Sequence, residues 1–175
     1  GQPEFSTLKT AKSYLCDKVI ISEATSNSQK IYLKNGETEI EIQVHCLSSV
    51  EAKIICNVIN TLPSEKAYFQ IPLTCYAYRT HFHAENHIPK EFKNENALGS
   101  IEKSLAIFTK NEDGNFKIEY EISRPATYQW PIIPVNVREP AIPPLSIENA
   151  VLLLSIPIEA NNPSITMNIK IHSNN

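Results

Sequence analysis

Thr80-His-Phe-His-Ala-Glu-Asn-His-Ile-Pro89 places three of the chain's five histidines and a glutamate within seven positions. In an extended strand, residues two apart project from one face. His81 and His83 can therefore offer two imidazoles to one ion, with Glu85 or His87 completing the shell once the chain bends. Imidazole with a single carboxylate suits zinc or copper. Three features oppose that chemistry. By the same alternation Arg79 shares a face with His81 and His83, and its permanent charge would repel a cation. The H-x-H-x-E-x-H spacing has no three- or four-residue step between the second histidine and the acid. Asn86 to Pro89 reads as loop, which would leave half the site on a loop. The expectation is a strand with a polar end, and the metal set His81, His83, Glu85 and His87 stands as the alternative.

The second candidate is the segment Arg124 to Pro144, with six prolines in twenty-one residues. That density favours extended or edge-strand backbone. Tyr128, Trp130 and Ile132 would share one face of it, with Arg138 further on. Exposed, this group is a patch for a protein or a small ligand. Packed inward, it plugs a core, since the single Trp is the largest apolar side chain available.

Other chemistries lack their residues. Four glycines, none of them clustered, cannot build a phosphate-cradling loop. G-x-S-x-G is absent, and Asp17 and Asp113 are the only aspartates, too few for a calcium loop. The pairs Glu39/Glu41 and Glu119/Glu121 fall on the polar side of strand patterns and read as solvated charge. A net charge of −3 with lysines and glutamates interleaved gives no basis for nucleic-acid binding or polybasic membrane docking. No apolar run reaches the roughly 18–20 residues of a membrane-spanning helix.

Cys16, Cys46, Cys56 and Cys75 form an even set without C-x-x-C spacing, which fits two disulfides better than a zinc knuckle or redox motif. Sixteen asparagines without a usable N-x-S/T sequon fit a bacterial exported protein better than a eukaryotic one. Secretion or a periplasmic location is the expectation, with a cytoplasmic protein carrying reduced thiols as the alternative. Residues 1–5 read as a tag or processing scar, and residues 6–175 as one domain.

The elements that must hold these groups are mostly strands. Lys30–Lys34 and Glu37–Cys46 flank Asn35-Gly36, the signature of a hairpin turn. Ser48-x-x-Glu51 has capping-box spacing, and Val50, Ile54, Ile55, Val58, Ile59 and Leu62 recur at helical spacing, which predicts a short helix. Its β-branched content keeps a strand at Lys53–Val58 open. Ala67–Arg79 is strand-rich with an edge proline at Pro72, and residues 84–100 read as loop with a helical turn. Lys103–Lys110 and Phe116–Ile122 form a second hairpin, and Trp130–Val137, Ala150–Ile158 and Ser164–His172 are further strands. Eight or nine strands without a strand–helix–strand rhythm predict a mainly β fold. An antiparallel β-sandwich follows, immunoglobulin-like or jelly-roll-like, with one or two short helices. The function expected is non-enzymatic recognition without a cofactor.

Overall fold

The computed structural model describes residues 18–35, 37–60, 67–73, 79–112, 114–132 and 150–174. These residues form thirteen strands and no helix. In chain order they are β1 (Lys18–Ala24), β2 (Ser28–Asn35), β3 (Thr38–Cys46), β4 (Glu51–Val58), β5 (Tyr68–Leu73), β6 (Arg79–Ala84) and β7 (Lys90–Glu91). There follow β8 (Ala97–Ile101), β9 (Ser104–Asn111), β10 (Gly114–Ile122), β11 (Ala126–Ile132), β12 (Val151–Pro157) and β13 (Ser164–Asn174). Two antiparallel sheets pack face to face. The larger has nine strands in the order β1-β2-β3-β4-β13-β10-β9-β6-β7, and the smaller four, β5-β12-β11-β8.

The helix expected after Ser48 is a strand instead. Ile54, Ile55 and Val58 are β-branched and lose side-chain freedom in a helix, while β3 and β13 flank the segment and pair with it along its length. The Ser48-x-x-Glu51 spacing closes a hairpin rather than capping a helix. Leu47 N and Ser48 N both donate to Glu51 O, at 2.9 and 3.2 Å. Residues 84–100, expected as loop, also contain β7 and β8. Both hairpins are present. Asn111 pairs with Gly114, whose φ of +134° suits glycine. Asn35 pairs with Thr38, which puts the first turn one residue later than Asn-Gly predicts. Gly36 itself, and the part of the strand expected beyond Ile132, lie outside the described residues.

Alternation decides the core. Along β10 and β13, Tyr120, Ile122, Ile165 and Met167 are buried against Leu152, Leu154 and Ile156 of the facing sheet. On the larger sheet the core reaches as far as Ile40, Ile42 and Ile54, which pack against it half-buried. Beyond that limit the same inner face continues, but the smaller sheet has only four strands to set against nine. Leu33, Ile31 and Val44 remain half-buried, and Ile21, opposite Ile31, is 66% exposed. The margin turns the corner at Cys46 and continues through Val50 and Ile171, where Ile171 N donates to Val50 O at 2.9 Å.

The smaller sheet has one close approach. A Cβ on Gly99 of β8 would lie 2.6 Å from the Tyr128 hydroxyl, so the β11 ring lies directly over a residue with no side chain.

Candidate functional site

β6 carries the histidine-rich stretch and pairs with β9 on one side and β7 on the other. Its ladder to β9 slips between Arg79, opposite Thr109, and His81, opposite Phe108. Thr80 is the extra residue of a β-bulge, and a bulge breaks the alternation of faces. Arg79 consequently joins Phe82 and Ala84 on the inner side, and His81 and His83 look outward. The Arg79 guanidinium lies 4.6 Å from the centre of the Trp130 ring and 5.0 Å from that of Phe92, and its Nη1 donates to Ala150 O at 2.8 Å. The expected repulsion between Arg79 and a cation on the histidine face is therefore absent.

The four candidate ligands nevertheless part company. His81 stacks on Phe108 with ring centres 4.3 Å apart, and its Nδ1 is 3.0 Å from the Thr80 hydroxyl. His83 stands half-buried opposite Ala106. After Ala84 the chain turns through Asn86, whose φ of 61° is left-handed, a conformation asparagine tolerates. That turn sends Glu85 and His87 to the β8–β9 connection. The Glu85 carboxylate accepts from Lys103 N and, at 3.5 Å, from the Ser104 hydroxyl. His87 Nε2 donates to Ser100 O at 3.1 Å. Glu85 and His87 thus tie two turns together. Among the described residues no three or more His, Cys, Asp or Glu side chains are grouped to hold a metal ion.

The Tyr128/Trp130 patch is not at the surface. Both side chains are 1% exposed and form the centre of the core. Trp130 Nε1 donates to Lys93 O at 2.7 Å, Phe92 meets its ring edge-on at 4.7 Å, and Phe82 meets Tyr128 at 5.5 Å. The physical reason is size: a sandwich of this width needs its largest rings where the sheets face each other. Ile132 is half-buried, and Arg138 lies outside the described residues.

The outer face of the large sheet is a polar ladder. Glu41 accepts from Gln43 at 2.6 Å and from Asn57 at 3.4 Å. Gln43 foremost and Tyr32 next hold the Glu41 carboxyl below its ordinary range. Lys117, at 3.0 Å, does the same for Glu119, aided by His172 at 3.2 Å. Carboxylates held ionised in this way are poor proton donors, which supports reading these glutamates as surface charge.

The two-disulfide expectation needs correction, because Cys46 and Cys56 are free. Cys46 faces Ala52 and Cys56 faces Ile42 across the same ladder. The two thiols are thus four residues out of step, roughly 13 Å along the strands and beyond disulfide reach. Cys16 and Cys75 lie outside the described residues. Burial pushes the Cys56 thiol up to about 11. In native protein we expect an alkylating reagent to modify exposed Cys46 rapidly and buried Cys56 only on unfolding, read by peptide mass spectrometry. The raised folded value means that stability falls as pH rises through the ordinary thiol range, and levels off near the folded value. The loss is on the order of 2 kcal/mol and should be absent in Cys56→Ala.

Sequence reasoning missed two further features. One is Arg124, 8% exposed, whose guanidinium donates to the carbonyls of Pro157, Asn162 and Ser164 at 3.1, 2.6 and 2.7 Å. The other is the uncovered margin of the large sheet. Alternation made Val44 and Ile171 legible, but Val50 read as helical, β1 went unread, and nothing local says which strands the second sheet reaches. Comparison with family models, curated proteins and solved structures finds no match to this chain.

Proposed function

We propose that the chain is a non-catalytic β-sandwich recognition domain of an exported bacterial protein. It works without a cofactor and binds protein segments along the uncovered inner margin of its nine-stranded sheet. One observation carries the reading. Ile21, Ile31, Leu33, Val44, Val50 and Ile171 extend an apolar sheet face past the limit of the core, and Ile21, Val50 and Ile171 are 66, 47 and 41% exposed. A continuous apolar margin of this kind marks contact surface more often than idle surface. The missing glycosylation sequons favour a bacterial over a eukaryotic source for such an exported protein, and the free Cys46 and Cys56 no longer argue for export itself.

The test is selection of a random peptide library displayed on phage against the immobilised full chain. Selected peptides are then titrated against wild type, Ile31→Glu and Ile171→Glu. We expect extended apolar peptides whose affinity falls at least tenfold in one or both variants. No enrichment, or binding to both variants as tight as to wild type, would overturn the reading. Zinc and copper titrations run beside it. Near-stoichiometric binding abolished by His81→Ala/His83→Ala would replace the recognition domain with a metalloprotein.

A further inference from the structure

β1 is the outermost strand of the large sheet among the described residues, and its outer edge carries backbone groups that β2 does not pair. Open edges of this kind recruit further strands unless they are blunted. The other three edges are blunted. β7 has two residues, β8 has five, and β5 contains Pro72, which has no N–H to donate. β1 has seven residues and no proline.

Ile20 and Ile21 of β1 are 44% and 66% exposed. Neighbouring residues of a strand point to opposite faces, so a partner lying on either face would cover only one of them. A strand running alongside the edge covers both. The edge also limits how much can pair. The ladder to β2 slips between Ser22 and Ala24, a bulge that ends the flat run at Ser22.

That flat run, Lys18-Val-Ile-Ile-Ser22, is suited to itself. Two identical antiparallel strands related by a two-fold axis must place one residue opposite its own copy, because opposed residues share a face. Centred on Ile20, the pairing sets Val19 opposite the partner's Ile21 and Lys18 opposite the partner's Ser22, and it uses only the residues before the bulge. Centred on Ile21, it would set Val19 against the partner's Glu23 and run through the bulge.

We propose that a second copy of this chain adds to β1 in antiparallel register centred on Ile20, joining the two nine-stranded sheets edge to edge. This inference does not depend on the recognition function above. Five paired residues a side make a small contact, so the dimer belongs to the weak class that forms at micromolar concentrations and above.

Sedimentation equilibrium of the full chain across the micromolar range tests it. The expected result is a monomer–dimer equilibrium that Ile20→Lys weakens at least tenfold, with an unchanged circular dichroism spectrum and unfolding curve, since the side chain is already half in water. A second measurement fixes the register. In a Cys46→Ser background, Ile20→Cys should oxidise to a covalent dimer far faster than Ile21→Cys, with the parent as control. Residues opposed across a two-fold axis lie about 4.5–5.5 Å apart, within disulfide reach. A chain that stays monomeric, a dimer indifferent to Ile20→Lys, or equal crosslinking at both positions would each overturn the proposal. Crosslinking faster at Ile21 would do the same.

Discussion

Replacing Trp130 with alanine should lower the stability of the chain by about 3–5 kcal/mol, the usual loss for a large ring removed from a packed core. The expectation rests on three contacts that fail together. The indole is 1% exposed, its Nε1 is the donor to Lys93 O, and its face carries the Arg79 guanidinium at 4.6 Å. Truncation opens a cavity, removes the donor from a carbonyl and strips a cation of one of its aromatic neighbours. Trp130→Phe should cost less, since it keeps most of the apolar contact and loses chiefly the N–H donor. Urea unfolding reads both, as a shift of the midpoint at unchanged slope. A Trp130→Ala variant with an unshifted midpoint would mean that the ring serves a surface role after all.

Arg124→Ala should cost about 2–3 kcal/mol, because it takes a buried charged donor away from three backbone carbonyls. Arg124 follows β10 of the large sheet and precedes β11 of the small one. Its three acceptors lie on the return passage from β12 to β13. One side chain thus fastens both crossings between the sheets at that end. Arg124→Lys should recover less than half of the loss, because one ammonium cannot reproduce the planar fork that reaches three carbonyls. Glu159, 3.7 Å away and 53% exposed, contributes little, and Glu159→Gln should stay within about 1 kcal/mol of wild type. Thermal unfolding of the three variants separates these cases. A Lys variant as stable as wild type would show that the charge, and not the fork, matters.

The alternation in Ile40–Cys46, Phe116–Ile122 and Ile165–Ile171 was legible in the sequence because a period of two survives any environment. So were the two hairpins, whose turn residues act locally. The stretch Val50–Leu62 misled for a physical reason: its apolar spacing satisfies a helix, yet two neighbouring strands pair with Glu51–Val58. The candidate site was harder still. Nothing in Thr80-His-Phe-His announces that Thr80 is a bulge, and that one residue moved Arg79 to the opposite face. Tyr128 and Trp130 were correctly placed on one face, but composition does not say whether a face meets water or a second sheet. Arg124 lacked any local signal, since its acceptors lie more than thirty positions away.

The bulge at Thr80 has an arithmetic consequence. Pairing counts residues in twos, and the extra residue gives β6 two halves of opposite parity. The location of Arg79 among the aromatic rings is therefore encoded by the one residue that stays out of the ladder as much as by composition. Every substitution at Thr80 preserves the count, so the arginine keeps its seat whatever side chain stands there. Deleting Thr80 would set Arg79 directly before His81 and leave it inside by plain alternation, whereas a Thr80 that paired regularly with Thr109 would swing the guanidinium out beside the imidazoles. In this strand the reading frame of the sheet, and not any single group, separates a permanent cation from a pair of histidines.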